Sequence, residues 1–179
     1  ICPLHPDLPY HVTARTNNRE WFKLDLSKVW EIFEAQLYFI HHAYGIRIHA
    51  FVLMSNHFHL IISDPKMMMP KAMRWLMTET SREIGRRTGR KNRIWGQRNF
   101  KCLLANYHYY LHAYKYLYRN PVEAGACKRV EDYPYSTLSR MMGRHQLIIP
   151  MEQDLLFEDF ERNLIWLNAT VDRDDWVTI

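Results

Sequence analysis

The run Phe51-Val52-Leu53-Met54-Ser55-Asn56-His57-Phe58-His59-Leu60-Ile61-Ile62 places apolar residues on both sides of the polar pair Ser55-Asn56. That is the pattern of two strands joined by a tight turn. Side chains alternate faces along a strand, so His57 and His59 project from the same face, a few ångströms apart. Two neutral imidazoles side by side on a rigid element form half of a divalent-metal site. Two ligands do not close such a site, and a surface pair on a half-exposed strand has the same pattern.

Outward from this hairpin, Pro9-Tyr10-His11-Val12-Thr13-Ala14-Arg15 alternates and is rich in strand formers, and Thr16-Asn17-Asn18-Arg19 reads as a polar turn. Residues 24 to 44 form a first helix through Leu26, Val29, Trp30, Phe33, Leu37 and Ile40, with Asp25 or Ser27 as its cap and Gly45 just past its end. Pro70 suits the first turn of a second helix, 71 to 88. Met67-Met68-Met69 before it reads as a loop packing over the core. Asn99 to Ala105 is a fourth strand, and Tyr107 to Arg119 a third helix stopped by Pro121, which directs Asn120 towards extended geometry. This order predicts an α+β domain of the split βαβ, ferredoxin-like type: an antiparallel sheet with helices on one side, plus a small helical C-terminal appendage.

The chain has 179 residues, 47% hydrophobic and 24% charged, which suits one soluble domain with a sizeable core. No apolar run is long enough to span a bilayer and no signal-peptide pattern opens the chain, so a cytoplasmic protein without a membrane partner is expected. Cys2, Cys102 and Cys127 are widely spaced and odd in number, as free thiols in a reducing compartment would be. Residues 151 to 179 carry eight Asp/Glu against Arg162 and Arg173, a balance of −6, so with a total of +5 residues 1 to 150 carry +11. A body that basic points to a polyanion, nucleic acid first. The division is into a domain, 1–150, and an acidic helical tail, 151–179, packed on it. Phe157, Phe160, Leu164, Ile165 and Leu167 offer the tail an apolar stripe, and its carboxylates are expected near the arginines.

Six tyrosines crowd residues 107 to 118, and only geometry selects among them. At about 100° per residue, Asn120, His112 and Tyr109 lie within about 40° of Tyr116 around the helix. Tyr110, Leu111, Tyr114, Leu117 and Tyr118 take the other side, which suits packing on the sheet. Tyr116 and Asn120 can therefore address one point. If His57 and His59 hold a metal there, the Asn120 amide oxygen is a third ligand and Tyr116 stands beside a metal-bound phosphate.

These residues resemble the HUH single-tyrosine transposases, in particular the REP-associated tyrosine transposase branch. The resemblance runs from Tyr10 to Gly143 through five blocks in order: Tyr10-His11-Val12-Thr13 with Asn17-Asn18-Arg19; Phe51 to Leu60; Trp95-Gly96-Gln97-Arg98-Asn99-Phe100-Lys101, where Asn99 is one residue extra; Tyr116 to Gly125; and Asp132-Tyr133-Pro134-Tyr135-Ser136. The acidic segment after Met151 lies outside it. The resemblance implies cleavage and rejoining of single-stranded or hairpin DNA with Tyr116 as nucleophile through a 5′-phosphotyrosine. It also implies a divalent metal, magnesium or manganese, on His57, His59 and Asn120. A replication or relaxation nickase and a non-catalytic hairpin-binding regulator remain as alternatives, as do a monomer and a homodimer.

Between Arg74 and Lys101 nine Lys/Arg stand against Glu79 and Glu83, with Trp75, Trp95 and Phe100 interleaved. Cations track phosphates and aromatics stack on unpaired bases. Arg82, Arg86 and Arg93 are expected along a hairpin stem. Arg15, Asn17, Asn18, Arg19, Arg98 and Lys101 are expected near the cleavage point, and Trp95 among the DNA contacts.

Overall fold

A computed structural model describes residues 4–96, 98–152 and 159–170. Strands β1 (Tyr10–Arg15), β2 (Arg47–Leu53), β3 (His57–Ser63) and β4 (Phe100–Leu103) form an antiparallel sheet in the order β2-β3-β1-β4. Helix α1 (Leu26–Tyr44) connects β1 to β2, and α2 (Met69–Thr88) connects β3 to β4. Because β3 sits between β1 and β2, this is the expected split βαβ arrangement, and the class is α+β.

Alternation along the strands gives the sheet two dissimilar faces. Tyr10, Val12, Ala14, Phe51, Leu53, Phe58, Leu60 and Ile62 pack against α1 and α2 through residues such as Phe33, Leu37, Met73 and Leu76. Ala50, Val52, Met54 and Ile61 face the other way and meet Tyr110, Tyr114, Leu117 and Tyr118 of α3 (Tyr107–Glu123). The helices therefore do not all lie on one side. α1 and α2 do, whereas α3 covers the opposite face, because β2 and β3 carry apolar residues on both faces, Ala50, Val52 and Ile61 on the α3 side, and each face needs a cover. A register shift between Ile48 and Ala50 moves β2 by one position, so Ile48 and Ala50 serve different cores.

The helix ends follow local chemistry. Gly45 closes α1 in the left-handed conformation at φ 73°, as its position predicts. Asp25 occupies the N-cap position of α1 without a side-chain cap hydrogen bond. The Asp64 carboxylate accepts from the backbone N–H groups of Met68 (2.8 Å) and Met69 (2.7 Å) and so caps α2. Met69 is buried while Met67 is half exposed, so only part of the methionine run covers the core. Asn106 caps α3 by accepting from the N–H of Tyr109 at 3.0 Å.

Pro121 does not stop α3, and Asn120 is helical rather than extended. The proline falls in the last turn, where its missing N–H removes a single backbone bond. The chain then closes through Ala126 N–H to the Pro121 carbonyl at 2.8 Å and Gly125 at φ 71°.

Two short helices, α4 (Thr137–Met141) and α5 (Phe160–Asn168), complete the α3 side. Arg119, buried, donates to the carbonyls of Asn168 (2.8 Å) and Ala169 (3.0 Å) and pairs with Glu123, bolting the end of α5 to α3. Of the expected tail stripe, Leu167 is buried, Ile165 is exposed, and Phe157 lies outside the described residues. α5 lies across the sheet from α2 and its arginines, so this part of the tail does not meet them.

Trp95 is mainly a core residue, although it also lines the cleft beside α2. It is 6% exposed, its ring meets Phe22, Phe33 and Phe58 edge-on, and its Nε1–H donates to Thr80 Oγ1 at 3.2 Å. Trp95→Ala should therefore lower the unfolding free energy by about 3–5 kcal/mol in urea titrations. A loss below about 0.5 kcal/mol would return Trp95 to the surface.

Candidate nucleic-acid cleavage site

Antiparallel pairing of β1 with β3 sets Arg15 opposite His57 and Thr13 opposite His59. The two imidazoles project from the face that α3 covers, with ring centroids 5.1 Å apart. They point away from the α1/α2 core, as expected, but they are not surface residues. α3 crosses over them and leaves His57 8% and His59 4% exposed.

α3 brings the second half of the site. His57 Nε2 lies 3.2 Å from Asn120 Oδ1, and the Tyr116 ring stands edge-on to His59 with centroids 5.3 Å apart. Residues 57, 59, 116 and 120 thus converge within one chain. Tyr109, on the same side of α3, packs with the second core, and the His112 ring lies tilted against His108 with centroids 4.2 Å apart.

The hydrogen bonds around His57 fix its proton. Asn56 donates through Nδ2 to the Arg19 carbonyl at 2.7 Å, which turns its Oδ1 towards His57 Nδ1, also at 2.7 Å. His57 therefore carries hydrogen on Nδ1, and its Nε2 lone pair faces the Asn120 oxygen. Two lone pairs facing one another repel unless a cation joins them. Both atoms are donors of the kind a divalent cation takes.

His59 Nε2 is buried and has no hydrogen-bond partner among the described residues. An orphaned lone pair in such a place costs stability unless a ligand takes it.

Burial also keeps these rings neutral. The pKa of His57 falls to about 4 through desolvation, reinforced by the positive charge of Arg15 and opposed by the Asn120 contact. That of His59 falls well below 6.5 through burial and then the neighbouring His11, His57 and Arg15. Neutral imidazoles at physiological pH are what a metal requires. Among the described residues no group of three or more His, Cys, Asp or Glu is arranged to hold a metal ion, so a site here depends on the carboxamide of Asn120.

His11 belongs to this cluster and escapes the sequence reading. Its Nε2 lies 3.0 Å from His59 Nδ1, the two rings stack at 5.2 Å, and its centroid is 6.0 Å from that of Tyr116. Alternation in β1 already put His11 on the face of Thr13. Only the β1–β3 register, a long-range property, brings it to His59.

The expected DNA contacts separate into two groups. Arg82, Arg86, Arg93, Arg98 and Lys101 line one open cleft of about 1350 Å3 between α2 and the 89–101 segment. There Arg82 pairs with Glu79 and Arg86 with Glu83, on the exposed face of α2. Lys101 lies over the Tyr10 ring at 5.9 Å. Arg15, Asn17, Asn18 and Arg19 instead surround the His57 end of β1, with Asn18 and Arg19 in the left-handed region at φ 54° and 57°. The two groups meet at Gly96, which lines the cleft and whose N–H donates to the Arg15 carbonyl at 3.1 Å. A Cβ on Gly96 would stand 3.1 Å from Asn17 Cα, so the close approach favours glycine.

The buried histidines predict an acid-sensitive fold. Their folded pKa values lie below 6.5, so below that pH the unfolded chain binds more protons than the native state. The stability of the metal-free protein should be full above about pH 6.5 and fall as pH drops towards about 4. Replacing His57 and His59 by Ala should flatten this dependence in urea midpoints at pH 7 and 5. Parallel wild-type and variant profiles would contradict it.

Comparison with known proteins places the chain in a family. A family model described as transposase IS200 like matches residues 5–113, ending just before Tyr116. The REP-associated tyrosine transposase of Escherichia coli (strain K12) is 34% identical over 97 residues, 54% of this chain and 57% of that protein. The chain thus spans little more than half the length of this relative. A structure of the REP-associated tyrosine transposase bound to a REP hairpin superimposes with a TM-score of 0.69 at 22% identity, covering 87% of this chain and 91% of that one. That likeness speaks for the fold. No helix among the described residues is long and apolar enough to cross a membrane.

Proposed function

The chain belongs to the transposase IS200 like family, and we propose that it cleaves and rejoins single-stranded DNA beside a hairpin, with Tyr116 as nucleophile. The observation that carries this reading is the convergence of Tyr116 and Asn120 from α3 on His57 and His59 from β3, around an unpartnered buried imidazole nitrogen. The Tyr116 oxygen attacks a backbone phosphorus, the phenolic proton is released, and the bond from phosphorus to the 3′ oxygen breaks. That oxygen leaves as a 3′-hydroxyl, while the 5′ side stays on the enzyme as a phosphotyrosine. The reverse attack by a different 3′-hydroxyl rejoins the strand without hydrolysis. Since Tyr116 stands beside the histidines of its own chain, the reading is one of attack in cis.

A phenol of pKa about 10 is a poor nucleophile at neutral pH, so the site must offset developing charge. His57, His59 and Asn120 would hold a divalent cation, magnesium or manganese, which when bound neutralises phosphate charge and orients the scissile bond. This donor set is uncharged, so the cation's full charge remains for the phosphate. Asn56 directs the His57 lone pair inward, and α3 excludes bulk water from the pair. Arg15 and the Asn17–Arg19 turn are placed for phosphates flanking the cut. The cleft bearing Arg82, Arg86, Arg93, Arg98 and Lys101 suits the stem of a hairpin, a partner class supported by the structural neighbour bound to a REP hairpin.

Incubation of a labelled hairpin oligonucleotide bearing a single-stranded flank with Mn2+ should yield a covalent adduct. Tyr116→Phe should abolish the adduct and leave hairpin affinity within about 3-fold, since only the attacking oxygen is lost. Hairpin affinity should also fall steeply with salt. Wild-type binding without any adduct would make the protein a hairpin-binding regulator instead, and an adduct surviving in Tyr116→Phe would move the nucleophile elsewhere.

A further inference from the structure

We propose that His11 is a positioning residue: its Nε2 accepts the Nδ1 proton of His59 and so holds His59 in the tautomer that leaves Nε2 bare. The inference rests on the metal-assisted reading above and adds a residue to it.

A neutral imidazole has one donor and one acceptor nitrogen, so the 3.0 Å contact between His11 Nε2 and His59 Nδ1 can run in only two senses. If His11 donated, His59 would carry its hydrogen on Nε2. That nitrogen is buried without a partner, so an N–H would be stranded there and no cation could bind. If His59 donates, the buried atom is a lone pair, which a cation satisfies. The neighbouring ligand has the same arrangement: Asn56 Oδ1 takes the Nδ1 proton of His57 and leaves Nε2 facing Asn120. Both imidazoles are then held from behind by an acceptor, the usual way a protein orients metal-binding histidines.

The β1–β3 register supplies the means. His11 lies one pleat along from Thr13, the partner of His59, on the same face of the sheet. The two rings lie nearly parallel, 19° between planes with centroids 5.2 Å apart, which suits a hydrogen bond in the ring plane. Tyr116 packs edge-on against both at 74° and 89°, so the nucleophile rests on the same hydrogen-bonded pair.

The test separates the hydrogen bond from the ring. His11→Phe keeps an aromatic body without an acceptor, and His11→Gln restores an acceptor oxygen without the ring. In the metal-free wild type at neutral pH, imidazole 15N chemical shifts should show His59 protonated at Nδ1. His11→Phe should lose that preference and weaken Mn2+ binding, read by electron paramagnetic resonance, by about 10–100-fold. His11→Gln should stay close to wild type in both. Wild-type His59 protonated at Nε2, or a His11→Phe protein that binds Mn2+ as tightly as wild type, would overturn the role of His11. A wild type that binds no Mn2+ would overturn the metal reading, while the nitrogen shifts still decide what His11 does to His59.

Discussion

The register between β1 and β3 governs the rest of the structure. Pairing Arg15 with His57 and Thr13 with His59 fixes which side chains of β3 face α3 and which face α1 and α2. A slip of one residue would exchange the two sets, driving His57 and His59 into a core of Phe33, Phe51 and Trp95 and turning Phe58 towards α3. The aromatic packing of Phe58 therefore also enforces the position of the histidines. α3 answers with its own division. Tyr110, Tyr114, Leu117 and Tyr118 anchor it to the sheet, leaving Tyr116 and Asn120 over the imidazoles. A site built from a strand and a helix that are each locked by packing holds its geometry better than one built on loops.

That placement has an electrostatic consequence. Covering the imidazoles with a helix removes them from water, and the positive Arg15 nearby further disfavours their protonation. The site is thus kept uncharged and rich in lone pairs. Arg15 stands at the site, whereas Arg82, Arg86, Arg93, Arg98 and Lys101 are set apart along the α2 cleft. In the proposed reaction this separation lets the arginines hold the polyanion while neutral donors are reserved for the ion at the scissile phosphate.

Much of this was legible in the sequence, because it rests on local periodicity. Alternation alone pairs His57 with His59, and the helical repeat alone puts Asn120 beside Tyr116. Gly45 marks a helix end for steric reasons that need no context. What escaped depends on long-range packing. The 89–101 segment looks like a basic surface loop, yet Trp95 turns inward because Phe22, Phe33 and Phe58 leave room for it. His11 joins the site only through its partner strand. The side of the sheet taken by α3 follows from β2 and β3 being apolar on both faces. Their nearly unbroken hydrophobic runs are the one local trace of that fact. Pro121 reads as a stop in the sequence, although a proline in the last turn costs too little to end a helix already anchored by Leu117, Tyr118 and Arg119.

The most direct test of the account is to locate the covalent bond. After reaction with a hairpin oligonucleotide, nuclease digestion and trypsin treatment, cleavage after Lys101, Lys115 and Arg119 separates the segment 102–115, which holds Tyr107, Tyr109, Tyr110 and Tyr114, from the segment 116–119. Mass spectrometry should find the nucleotide on 116–119, with fragmentation assigning it to Tyr116 rather than to Tyr118, whose hydroxyl is buried against Thr137 at 2.8 Å. A nucleotide on 102–115, or on Tyr118, would contradict the convergence on which the account depends.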